Sequence, residues 1–160
     1  MPLILIDDKL IAEVAASAQN SARRRSLYTF HDNNEAKVHR MVNVMEPDSY
    51  VRPHKHENPD KVEVFIVLRG KLAVLVFADD GRVTEHVVLE AGKSPWGAEL
   101  PPGTWHSSLA LEPDTVVYQV SEGPWNPHTH KAFPAWAPSE DDKEGSQAFI
   151  ARVRQELMLY

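Results

Sequence analysis

Val62-Glu63-Val64-Phe65-Ile66-Val67-Leu68-Arg69-Gly70-Lys71-Leu72-Ala73-Val74-Leu75-Val76-Phe77 reads as two apolar strands parted at one glycine. β-Branched and aromatic residues dominate both runs, and Gly70 permits the turn between them. Asp79-Asp80-Gly81-Arg82 then signals a hairpin, with Val83 to Leu89 as the return strand. Ala91-Gly92 and Gly97 punctuate the next stretch, and Val116 to Val120 is a further strand. Many short strands joined by turns predict a sandwich or barrel. The central strands are apolar on both faces, so both sides are covered. The inner face fills the barrel. The outer face meets terminal helices, another sheet or a second subunit, which makes a homodimer an expectation.

Working outward, residues 8–20 predict a short amphipathic helix. Leu10, Ile11, Val14, Ala15 and Ala18 recur at helical spacing, and Asp7 or Asp8 can cap it. A last helix, about Ser146 to Leu159, presents Phe149, Ile150, Val153 and Leu157 on one side. Between barrel and helix, residues 121–143 carry Pro124, Pro127, Pro134 and Pro138 with Trp125 and Trp136, which predicts an extended arm held down by its aromatics.

A chain of 160 residues fits one domain with a sizeable core. Its formal net charge of -6 argues against nucleic-acid binding, which needs clustered Lys and Arg. Cys is absent, which excludes disulfides and thiolate ligands and leaves a metal only imidazole and oxygen. The start, Met1 to Asp7, lacks the basic region of a signal peptide, and no stretch approaches the ~20 apolar residues of a membrane span. A cytoplasmic location with no membrane partner is the expectation.

The chemistry-bearing residues lie on the strand-like segments. His54 and His56 are two apart, so on a strand they share a face. Glu63 lies on the next strand inside an apolar run, where an unpaired carboxylate is costly to bury. Pro101-Pro102-Gly103 is a turn that can aim His106 inward. Three imidazoles and one carboxylate suit Zn, Fe, Mn, Ni or Cu. Tyr50 and Arg52 share parity with the histidine pair and are expected to face the same cavity, Arg52 as a clamp for a carboxylate or phosphate and Tyr50 as a proton carrier. His128-Thr129-His130 is a second pair with no carboxylate partner and reads as exposed. Arg23, Arg24 and Arg25 are read either as anion-binding residues or as cations at a helix end.

These motifs resemble those of the cupin superfamily. His54, His56, Glu63 and Gly70 match its first motif, G-x5-H-x-H-x3/4-E-x6-G, and Pro101, Gly103 and His106 its second, G-x5-P-x-G-x2-H-x3-N. There are departures: six residues separate His56 from Glu63, a longer gap than the motif has, and Ala110 stands where the motif has Asn. Arg40-Met41-Val42-Asn43, Tyr50 to His56, Val67 to Leu72, Pro101 to His106 and Glu122-Gly123-Pro124 are similar to WbuC-type cupin metalloproteins. Arg23, Arg25 and His31 match part of an R-x-R-x-H-x-N-x-H string in that family, with Leu27 and Thr29 in place of its His and Asn.

The resemblance implies a mainly β, cupin-type double-stranded β-helix (jelly-roll barrel) with short N- and C-terminal helices. It implies one domain over 1–160: a helical segment at 1–25, the barrel at 26–121, and the Pro-rich arm and last helix at 122–160. It implies one divalent transition metal (Zn, Fe, Mn or Ni) on His54, His56, Glu63 and His106, with Arg40 beside Arg52 and Tyr50 as substrate-binding candidates. Arg40 and Asn43 have opposite parity, so at most one of them is expected to face the cavity. The function expected is a metal-dependent enzyme acting on a small anionic or sugar-derived molecule. The family name ties it to surface polysaccharide. The alternative is a non-catalytic module that binds or senses a small ligand through the metal.

Overall fold

A computed structural model describes residues 3–126 and 128–160; Pro127 of the arm lies outside the described residues, as do Met1 and Pro2. Helix α1 spans Asp8–Asn20, and its N-terminus is capped by Asp7, whose carboxylate accepts from the Leu10 amide. Among the described residues eight strands follow: β1 Arg25–Thr29, β2 Val38–Met45, β3 Glu63–Arg69, β4 Lys71–Phe77, β5 Val83–Glu90, β6 Gly97–Leu100, β7 His106–Ala110 and β8 Thr115–Glu122. Helix α2, Lys143–Leu157, starts earlier than its apolar spacing suggests, because the Asp142 carboxylate caps it by accepting from the Gly145 amide. Among the described residues no helix is long and apolar enough to cross a membrane.

All strand pairs are antiparallel. Five strands form one sheet in the order β1-β2-β8-β3-β6, and three form a second in the order β5-β4-β7. Their inner faces pack together through Met45, Phe65, Val67, Leu72, Val74, Leu89 and Val117. The helices cover part of each outer face. Ile11, Val14, Ala15 and Ala18 of α1 pack on Val42, Val44 and Val116. Phe149, Ile150 and Val153 of α2 pack on Ala73, Leu75 and Phe77. The two-sided apolar pattern of β4 therefore serves the barrel and α2 at once.

Two isolated bridges prolong the smaller sheet. His54 pairs with His106 at the start of β7, and Lys55 pairs with Ala132 of the arm. The histidine pair is thus pinned between β7 on one side and the arm on the other.

Candidate metal centre

His54 and His56 come from an irregular segment that behaves as a strand only where the two bridges hold it. Glu63 opens β3 and points inward with Phe65 and Val67, in the parity that alternation requires. The long gap after His56 is taken up by the loop at 57–62. Gly103, at φ +70°, turns the chain so that His106 enters β7 facing inward. One ligand atom from each of His54, His56, Glu63 and His106 lies within 4.8 Å of the others, and all four residues are buried.

The three imidazoles are oriented by backbone carbonyls. His54 Nδ1 is 2.8 Å from the Arg52 carbonyl, His106 Nδ1 2.8 Å from that of Thr104, and His56 Nδ1 2.5 Å from that of His130. A carbonyl only accepts, so each Nδ1 donates, and in the neutral ring each Nε2 keeps a lone pair. Those of His56 and His106 lie 3.0 Å from Glu63 oxygens. Lone pair then faces carboxylate. His56 Nε2 is buried without a hydrogen-bond partner among the described residues, although Glu63 is close by. A cation between these atoms converts each opposed pair of acceptors into a ligand pair, so the donor set fits a divalent metal.

Electrostatics agree with that reading. Burial drives the pKa of His54 well below the ordinary histidine value, with the charge of Lys131 adding to the effect, so its ring is neutral. Burial opposes ionisation of Glu63, and positive charge on the His106 and His56 side of its carboxylate, whether a proton or a metal ion, is what holds its pKa well below the usual carboxylate range. A second layer steadies the carboxylate: Gln119 Nε2 donates to Glu63 Oε1 at 2.9 Å, and Asn43 Nδ2 donates to Gln119 Oε1 at 2.6 Å.

The group lines a cavity of about 680 Å³ between the sheets and under the arm. Arg52 lines it, as parity suggests, with its guanidinium over the Phe133 ring at 4.7 Å. Tyr50 does not. It sits among Leu75, Phe149 and Ile150 on the far side, and its hydroxyl donates to the Pro138 carbonyl at 3.0 Å. Burial also pushes its pKa up, so it is no proton carrier for this cavity. The parity expected from Tyr50 to His56 fails because residues 50–53 form no strand and Pro53 interrupts the run. Arg40 is likewise corrected: it is exposed and donates to the Phe30 carbonyl, while Asn43 faces the cavity. The α1-covered face of β2 carries Val42 and Val44, which puts His39, Met41 and Asn43 inside.

His128 is exposed, as read from the sequence, but His130 is not a bystander. It lines the cavity, packs on Trp125 with ring centroids 5.1 Å apart, and has its pKa lowered to about 4 by burial and by Lys131. Lys131 and Gln119 also line the cavity, and sequence reasoning did not find them. Gln119 had a signal, since it alternates with Val117 along β8; Lys131, in a Pro-rich arm, had none.

A two-sheet antiparallel barrel with a His-His-Glu-His group at its centre defines a cupin-fold protein. A family model described as a domain of unknown function, DUF6016, matches residues 6–89, more than half of the chain, and the chain belongs to that family. No curated protein matches it. Among solved structures, CapF from Staphylococcus aureus, a capsular polysaccharide assembling protein, aligns at 20% identity with a TM-score of 0.56, covering 71% of this chain and 30% of CapF. A recombinant oxalate oxidase in complex with glycolate aligns at 14% identity with a TM-score of 0.53, covering 84% of this chain and 76% of that one. KdgF from Halomonas sp. aligns at 19% identity and a TM-score of 0.49, over 65% and 82%. At these identities the likeness is one of fold, and the chain spans about a third of CapF.

Proposed function

We propose that this chain holds one divalent transition metal on His54, His56, Glu63 and His106, and uses it as an enzyme on a small anionic or sugar-derived molecule. The observation that carries the reading is the uniform orientation of the three rings: each Nδ1 is committed to a carbonyl, and the ligand atoms meet in one buried place. A metal bound there would supply Lewis-acid polarisation of a carbonyl or hydroxyl oxygen. Arg52 would orient the anionic end of the ligand. A role in surface-polysaccharide metabolism rests on the WbuC-type motifs, and one fold neighbour is itself named for capsular polysaccharide assembly.

A second reading, a metal-dependent binding or sensing module, is favoured by the position of Tyr50. Its hydroxyl is turned away, which removes the proton carrier that parity had offered. Reconstitution with Zn, Fe(II), Mn and Ni in turn, followed by a turnover screen of sugar acids and nucleotide sugars, separates the two. Tight binding without chemical change selects the module. Replacing His54 and His56 together with Ala should abolish stoichiometric metal by elemental analysis; full retention defeats both readings.

A further inference from the structure

The chain is acidic overall, with a formal net charge of -6, yet the wall of its cavity is not. Five cationic side chains line it: Arg23, Arg25, Arg52, Lys61 and Lys131. Among the described residues only three carboxylates do so, Glu63, Glu122 and Glu140. Three of the cations are occupied. Arg23 and Arg25 both pair with Glu140, at 2.8 and 2.7 Å, and Lys61 donates to the Pro124 carbonyl. Arg52 and Lys131 have no carboxylate partner among the described residues. Among the described residues Arg52 donates only to the Ala137 carbonyl, at 3.3 Å, and its buried Nε has no partner. Lys131 makes no side-chain hydrogen bond to the described residues, although burial lowers its pKa. Glu63 and Glu140 offset that burial only in part, and an ammonium withdrawn from water without a directly paired carboxylate is costly; an anion beside it removes that cost.

Backbone contacts hold the main chain of both residues beside the His-His-Glu-His group, and both residues line the same cavity. The Arg52 carbonyl accepts from His54 Nδ1. Lys131 follows His130, whose carbonyl accepts from His56 Nδ1, and precedes Ala132, which exchanges two backbone hydrogen bonds with Lys55. The residues that orient the ligand histidines thus also position the free cations.

We infer that Arg52 and Lys131 form a two-cation seat that selects a small dianionic oxyacid, one end held by the seat and the other facing the His54, His56, Glu63 and His106 group. This rests on the metal reading above. A divalent ion offset by Glu63 alone leaves one positive charge, and the seat adds two. A neutral sugar leaves all of these uncompensated, and a monoanion most of them. The cavity volume suits a ligand of metabolite size.

The test is calorimetric titration of the full chain, zinc-loaded and metal-free, with malonate, inorganic phosphate, acetate and glucose. Malonate or phosphate should bind, acetate more weakly, and glucose not at all; whichever dianion binds more tightly identifies the head group. Arg52→Met and Lys131→Met should each weaken dianion binding about ten- to a hundred-fold, with zinc stoichiometry unchanged by elemental analysis. Lys131→Arg should stay within a few-fold of wild type and stands in if Lys131→Met does not fold. Wild-type affinity in both Met variants, glucose binding as tightly as malonate, or no saturable dianion binding in either form overturns the seat. Failure of the metal reading shows separately, as absence of zinc uptake. The seat is then read in the metal-free protein, where loss of binding in the Met variants sustains it and unchanged binding overturns it.

Discussion

Gly70 sits at φ +73°, and a Cβ there would lie 2.7 Å from Thr115 Oγ1. The turn that sends β3 into β4, from one sheet to the other, therefore needs this residue on two counts, conformation and space. Gly70→Ala is expected to cost about 1–3 kcal/mol in urea unfolding; a cost near zero would show that the turn relaxes freely. Gln119 acts at the same scale but on the site. Its amide holds Glu63 Oε1 and is itself held by Asn43. Gln119→Leu should leave the fold intact and lower zinc affinity about 10- to 100-fold in a chelator competition. Of these residues, Gly70 and Glu63 were legible in the sequence, one as a break between strands and the other as a carboxylate in an apolar run. Tyr50 was misread, because a two-residue period holds only while the chain stays extended, and residues 50–53 do not form a strand.

The arm decides the site at the scale of elements. Its prolines and tryptophans were legible as an extended segment pinned by aromatics, and Trp136 does pin it. The indole donates to the Asp79 carbonyl at 2.9 Å and lies 5.2 Å from the Phe77 ring. Gly81 lets it approach the β4-β5 turn, since a Cβ there would meet the indole at 2.7 Å. Trp136→Ala should cost about 2–4 kcal/mol and expose the arm to limited proteolysis between residues 124 and 142. An arm that stays resistant would mean that the Lys55–Ala132 bridge holds it unaided. What could not be read beforehand is that this arm carries His130 and Lys131 to the cavity. Pairing between Lys55 and Ala132 spans a long loop and leaves no periodic mark in either segment.

For the whole molecule, the buried histidines set the response to acid. Burial lowers the pKa of His54, His39 and His130 below the ordinary histidine value of about 6.5, that of His130 to about 4. Each is depressed in the folded state, so the unfolded chain binds more protons below about pH 6.5. Their contribution is present above that pH and is lost as pH falls, for His130 across the window from about 6.5 to about 4. Glu46 runs the other way: burial and Asp114 raise its pKa, so its contribution is present below about pH 4.5 and is lost as pH rises. Three histidines against one carboxyl predict a melting temperature of the chelated protein that drops from pH 7 to pH 5. A flat or rising profile over that range would contradict the burial assigned to these rings.

The residues by themselves determined the class of this protein. Strand periodicity, the turn glycines and the HxH, Glu and PPGTWH spacings are local signals, and local geometry turns them directly into inward-facing side chains. The uniform Nδ1 contacts, the choice of Asn43 over Arg40, the exclusion of Tyr50 and the arrival of Lys131 were decided only by the tertiary structure. Each depends on which backbone or helix lies opposite, at sequence separations where side-chain alternation carries no information.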